Sequence, residues 1–265
     1  MVPAMFIRKL TKLVLIIYIL LTVYTLVSLF IGIPYHPFFT PLLTLLAFVF
    51  ALLHGSQNLG WKHTLLLLVL TFSVSLLFEC VGVATGLVYG PYHYTDKLGP
   101  KFLGLVPLLI PVAWFMMTYP SYVIAGWLVP ALKNKWARWL LVAALGALVM
   151  TAWDLAMDPM MVAGGHWVWD APGAYFGVPL QNYWGWWLTT FVTFLLFLAI
   201  GRIDPAHPYP NSRFDQMAIW SYAITGLSSI IVDFQFSLAG PGLVGLFAML
   251  PWVGMSLGKD KNMPL

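Results

Sequence analysis

The chain has 265 residues, 61% hydrophobic and only 8% charged, with a mean hydropathy of +0.86. Soluble domains carry roughly 25% charged residues, so the composition excludes a water-soluble globular protein. The formal charge of +4 comes from scattered basic residues without a run, which argues against nucleic acid as a partner, and the single cysteine, Cys80, excludes a disulfide framework or a cysteine metal cluster.

A helical crossing needs about 20 apolar residues. Apolar windows bounded by Pro, Gly and charges predict eight spans: 12–33, 38–54, 64–88, 103–129, 139–157, 184–200, 215–236 and 241–258. The first follows Arg8, Lys9 and Lys12 and has no small-residue cleavage site before "IPYHPFF", so it reads as a retained span. The fourth contains Pro107, Pro111 and Pro120 and is expected to kink, because each proline removes a helix hydrogen bond. The tight "SLAGPG" turn joins the last pair. The reading is a single polytopic domain over 1–265, an all-α integral membrane protein of the cell membrane with about eight transmembrane helices.

Charge placement orients these spans. With the N-terminus inside, eleven of the thirteen basic residues, from Arg8 to Lys261, fall on inner segments and only Lys97 and Lys101 on outer ones. Both termini are therefore expected inside. Glu79, Asp154 and Asp233 then lie toward the outer ends of spans three, five and seven, Asp158 just beyond Asp154, and Asp96 and Asp170 in two long outer loops, 89–102 and 158–183. Six of the nine acids thus share one side of the bilayer.

Spans three and five superpose at an offset of 75. Glu79 then matches Asp154, Tyr92 matches Trp167 and Tyr94 matches Trp169, with "VPL" following at 106–108 and 178–180. Aromatics at period two predict short extended segments, which would form two small hairpins over the outer face.

A carboxylate in the hydrocarbon region costs a few kcal/mol, so it faces the protein interior, pairs, or keeps its proton. Asp154 and Asp158, at i and i+4, share a helix face and repel when both are charged. At least one should hold its proton, and a protonated carboxyl in a dry pocket is a general acid. Asp158 precedes Pro159, so it also reads as a helix end at the interface; Asp233 also reads as a clasp between helices. Tyr92, Tyr94, Trp153, Trp167 and Trp169 stand beside the acids, and aromatic faces stabilise a cation by about 0.5–2 kcal/mol each. His93 and His166 are candidate proton partners, whereas "NYWGWW" (182–187) reads mostly as interfacial belt. There is no phosphate loop, HExxH, DDxxD or repeated histidine cluster, and Lys62 and Lys97 fall in loops rather than mid-span. This leaves cofactor-free, metal-free acid–base chemistry on an apolar substrate, or simple binding of one.

"FECVGVATGLVYGPYHYTDKLGPKFLGLVPLLIPVAWFMMTYPSY" and "AWDLAMDPMMVAGGHWVWDAPGAYFGVPLQNYWGWW" resemble the two signature blocks of the membrane carotenoid biosynthesis family that includes the CruF-type carotenoid 1,2-hydratases. The resemblance covers about 78–122 and 150–190. It implies addition of water, as co-substrate, across the C1=C2 double bond of an acyclic (ψ) carotenoid end group of the lycopene, γ-carotene or bisanhydrobacterioruberin type, without a redox cofactor. On that footing Asp154 or Asp158 is expected to donate the proton, with its partner and Glu79 tuning it and orienting water. Tyr92, Tyr94, Trp153, Trp167 and Trp169 would line the cation end, His93 and Asn182 would give polar support, and Asp96 and Asp233 further support. Two readings compete: a non-catalytic carotenoid or isoprenoid binder, and a proton-coupled transporter using Glu79, Asp154 and Asp233 as a relay.

Overall fold

A computed structural model describes residues 4–204 and 213–258; Lys259 and Lys261, which enter the charge count above, lie outside them. Among the described residues eight helices are long and apolar enough to cross a membrane: α1 (Ala4–Phe30), α2 (Phe39–Asn58), α3 (Trp61–Thr85), α4 (Leu109–Leu128), α5 (Lys135–Ala163), α6 (Leu180–Gly201), α7 (Gln216–Gln235) and α8 (Ala239–Gly258). Four short strands sit in the connections: β1 (Tyr92–Tyr94), β2 (Lys101–Phe102), β3 (Val106–Pro107) and β4 (Trp167–Trp169). The chain is mostly helical, as expected, with the span count unchanged.

α4 and α5 form the centre of the bundle. Most of α4 is buried, and it packs on α2, α3, α5, α7 and α8, while α1 lies against α2 and α7. Leucines and isoleucines such as Leu20, Leu77 and Leu140 point outward, where lipid is as favourable a neighbour as a core. Between helices, small residues permit close approach: a Cβ added at Gly245 would lie 2.6 Å from Ala156 Cβ. At the end away from the strands, buried His54 bonds Tyr119 Oη at 2.6 Å and the Phe214 carbonyl at 2.7 Å, tying α2 to α4 and to the entry of α7.

Several boundaries differ from the sequence reading. α4 starts at Leu109, so Pro107 lies in β3 and Pro111 in the first turn, where a proline costs no helix bond; only Pro120 is interior. Lys62 is in the first turn of α3 rather than a loop. α5 does not stop at Asp158 but runs through Pro159 to Ala163. Pro159 has no N–H to give to the Leu155 carbonyl, and the Tyr175 hydroxyl donates to that carbonyl instead, at 2.9 Å. This side-chain substitute keeps the helix intact and leaves Asp158 inside the protein.

The expected pair of separate aromatic hairpins is replaced by a cross-loop pairing. β1 and β4 are antiparallel partners, with Tyr92 opposite Trp169, His93 opposite Val168 and Tyr94 opposite Trp167; a small β2–β3 ladder lies within the first loop. The element order also follows the offset of 75. Shifted by that amount, α3 falls on 136–160, within α5, and α4 falls on 184–203, over α6. His93 and Val168 are themselves 75 apart, so their pairing lies where a two-fold axis between the halves would pass.

α3 ends at Gly86, whose φ of +72° turns the chain into the first loop. The Tyr89 ring then inserts between α3 and α6, with its hydroxyl 2.9 Å from Thr189 Oγ1. It fits because both facing positions are glycine: a Cβ at Gly82 would lie 2.7 Å from the ring, and one at Gly185 would collide with it. Gly185→Leu is therefore expected to expel the ring and lower stability by about 1–3 kcal/mol. A thermal unfolding midpoint in detergent equal to the wild type would contradict this packing.

Candidate active site

The strand end of the bundle gathers the three intramembrane acids of α3 and α5. Glu79 is 3% exposed, Asp158 1% and Asp154 not at all. Tyr92 and Tyr94 alternate inward from β1 and both donate to Glu79 Oε2, Tyr94 at 2.8 Å. Trp114 Nε1 of α4 donates to Oε1 at 3.1 Å. Asp158 accepts from Trp167 Nε1 of β4 at 2.6 Å and from Asn182 Nδ2 of α6 at 2.7 Å. The same amide nitrogen donates to Asp154 Oδ2 at 2.8 Å, so each of its two hydrogens serves one acid of the i, i+4 pair. Asp154 Oδ1 has no hydrogen-bond partner among the described residues.

The β1–β4 register joins the two acid sites. The ring of Tyr94, on Glu79, lies 5.8 Å from that of Trp167, on Asp158, and Tyr92 lies 5.0 Å from Trp169. Burial, and then the Glu79 charge, push the Tyr92 and Tyr94 hydroxyls well above their usual pKa, so both stay protonated and serve as donors at neutral pH. Below them Trp114 stacks on Trp186 at 4.1 Å, and Trp186 meets the edge of Trp153. Trp153 Nε1 donates to Ser229 Oγ of α7 at 3.2 Å.

These groups border a cavity of about 540 Å³, within the usual range for ligand pockets. Glu79, Asp158, Asn182, Tyr92, Tyr94 and the tryptophans 153, 167 and 169 all line it. Asp154 does not; it is tied to Asp158 through the Asn182 amide.

Other expected members fall elsewhere. His93 points to solvent between its two inward tyrosines, 59% exposed, and bonds Asp170 at 2.7 Å; the period-2 alternation that brings Tyr92 and Tyr94 in sends it out. Asp96 is fully exposed in a short turn and pairs with Lys101 at 2.9 Å. Asp233 is buried between α7 and α8, outside the cavity lining, with neither carboxyl oxygen partnered among the described residues. His166 lines the cavity without touching an acid, and burial lowers its pKa.

Sequence reasoning missed Trp114, Tyr89 and Trp186. Trp186 was read with the belt, yet it is buried against Trp114, while Trp184 is exposed. The available signal was helical phase. Trp186 stands four residues after Asn182, hence on the same face of α6, whereas Trp184 is turned away from it.

No solved structure matches the chain. A segment of 121 residues is 40% identical to the bisanhydrobacterioruberin hydratase of Haloarcula japonica, covering 45% of this chain and 39% of that protein; the match thus spans about two fifths of that relative's length. Residues 39–251, which hold all three acids, both aromatic strands and Asn182, match the family described as "Carotenoid biosynthesis protein", and the chain belongs to that family.

Proposed function

We propose that this protein is a carotenoid hydratase that adds water to the C1=C2 double bond of an acyclic end group of the lycopene, γ-carotene or bisanhydrobacterioruberin type. Family membership and the similarity to a bisanhydrobacterioruberin hydratase support the substrate class. The observation that carries the chemistry is Asp158, a buried carboxyl on the wall of an aromatic cavity, with Asp154 sharing its Asn182 donor and Glu79 on the same cavity.

Hydration of a trisubstituted alkene is redox-neutral. In our reading the carboxyl proton of Asp158 passes to C2 as the π bond breaks, leaving a tertiary cation at C1. The faces of Tyr92, Tyr94, Trp153, Trp167 and Trp169 stabilise that cation, by about 0.5–2 kcal/mol per well-placed ring. A water attacks C1, and its surplus proton returns to the carboxylate, so the acid is regenerated and one water is consumed. Asp154 shares the Asn182 amide with Asp158 and disfavours a second negative charge beside it. Glu79, held by three donors, fixes the aromatic strand and orients the water. General acid catalysis contributes about 10²–10⁴-fold.

We further propose one polytopic domain in the cell membrane, in contact with lipid, with both termini inside and the β1–β4 end outward, where water can reach the site. The basic residues support this orientation.

In cells accumulating lycopene, the wild-type chain should yield 1-hydroxy products 18 Da heavier, the mass of one water. Asp158→Asn should reduce turnover about 10²-fold or more, and Asp154→Asn or Glu79→Gln less severely. Full turnover in both Asp→Asn variants would sink the assignment, and pigment bound but unchanged would favour a carrier. For the orientation, Val168→Cys at the exposed centre of β4 should react with a membrane-impermeant maleimide in intact cells. Reaction only after lysis would invert the topology.

A further inference from the structure

The cavity does not end at the carboxyl groups. It extends as an arm lined by α1 and α7, with the start of α2 alongside. α1 presents Thr22, Thr25, Leu26 and Leu29, the i, i+3, i+4, i+7 positions of one helix face. α7 presents Thr225, Ser228, Ser229 and Val232 with the same spacing. Trp153, bonded to Ser229, stands at the junction between the arm and the acid site.

The arm is polar by composition but not by contact. Thr22 and Thr25 donate to the carbonyls of Tyr18 and Thr22, each at 2.8 Å. Ser228 and Ser229 donate to the Thr225 carbonyl at 2.7 and 3.3 Å. Each of these hydroxyls donates within its own helix, that of Ser229 also accepting from Trp153, and what these residues offer the cavity is small size and carbon surface. No Asp, Glu, Lys or Arg of α1 or α7 lines it. Tyr18 Oη and Thr225 Oγ1, both on the lining, lie 2.7 Å apart and join α1 to α7. From Tyr18 to Leu29 the helix rises about 16 Å at 1.5 Å per residue. A lining of this length with no charged side chain from either helix, continuous with an acid site, suits an apolar chain.

We propose that this arm seats the stretch of polyene chain next to the reacting end when the end group stands at Asp158. This rests on the hydratase reading for the identity of the reacting end. α1 lies outside residues 39–251, which match the family, so selectivity for chain length is carried by a helix that the family match does not include.

The test compares two hydrocarbons with the same terminal trisubstituted alkene: a forty-carbon acyclic carotene and a fifteen-carbon isoprenoid too short to fill the arm. With the full chain in detergent, Thr25→Trp should lower the long-over-short ratio of kcat/KM about tenfold or more. Leu29→Phe, a milder change, should move the ratio the same way and serves if Thr25→Trp fails to fold. Equal losses on both substrates, or no change on either, would overturn the proposal. Wild-type protein that hydrates neither substrate would instead remove the hydratase reading. The arm is then tested by binding alone: forty-carbon carotene, followed by its visible absorption on the purified protein, should bind about tenfold more weakly to Thr25→Trp, and equal affinity would overturn the arm.

Discussion

Three carboxyl groups inside an apolar bundle have to be supplied with hydrogen-bond donors, because burial takes them out of bulk solvent. Glu79 takes three, from Tyr92, Tyr94 and Trp114; Asp158 takes two, from Trp167 and Asn182; Asp154 takes one, from the same amide. These donors come from four separate parts of the chain: β1, α4, β4 and α6. Meeting the requirement therefore fixes the two long loops against each other and α4 and α6 against both. The cross-loop ladder is short, only three residues per strand, and side chains anchored on buried acids hold it in register more firmly than its backbone bonds alone.

The helices deliver these residues by ordinary devices used at specific points. Gly86 turns the chain out of α3, the glycines at 82 and 185 admit Tyr89, and the Tyr175 hydroxyl repairs the break that Pro159 makes in α5. The last of these bears on chemistry. Had the helix ended at Asp158, that carboxyl would meet headgroups and water. With the helix continued to Ala163, it meets Trp167 and a cavity.

Much of this was legible in the sequence. The eight apolar windows, the grouping of acids on one side and the i, i+4 spacing of Asp154 and Asp158 all follow from local patterns. The partner of each strand did not follow, because alternation tells which residues are extended and not what they pair with. His93 was misplaced although the alternation that brings its neighbours inward also turns it out; its chemistry outweighed its phase. Trp114 and Trp186 were hidden for another reason. In a span nearly uniform in hydropathy a buried tryptophan and a lipid-facing one look alike, and only phase relative to Asn182 separates them. The arm between α1 and α7 could not be read at all, since threonines that bond their own helix leave no mark distinguishing a cavity wall from a helix contact.

The order helix, strand, helix occurs twice in the middle of the chain, as α3–β1–α4, with the β2–β3 ladder added, and as α5–β4–α6. At the offset of 75, Glu79 corresponds to Asp154, but Asp158 corresponds to Val83, Asn182 to Pro107 and Trp114 to Thr189. The element order is thus shared by these two parts while the groups they display are not. One half offers a pair of acids joined by an amide; the other offers a single carboxyl saturated with donors. A molecule lying between them meets unlike chemistry on its two sides, and that difference supplies direction.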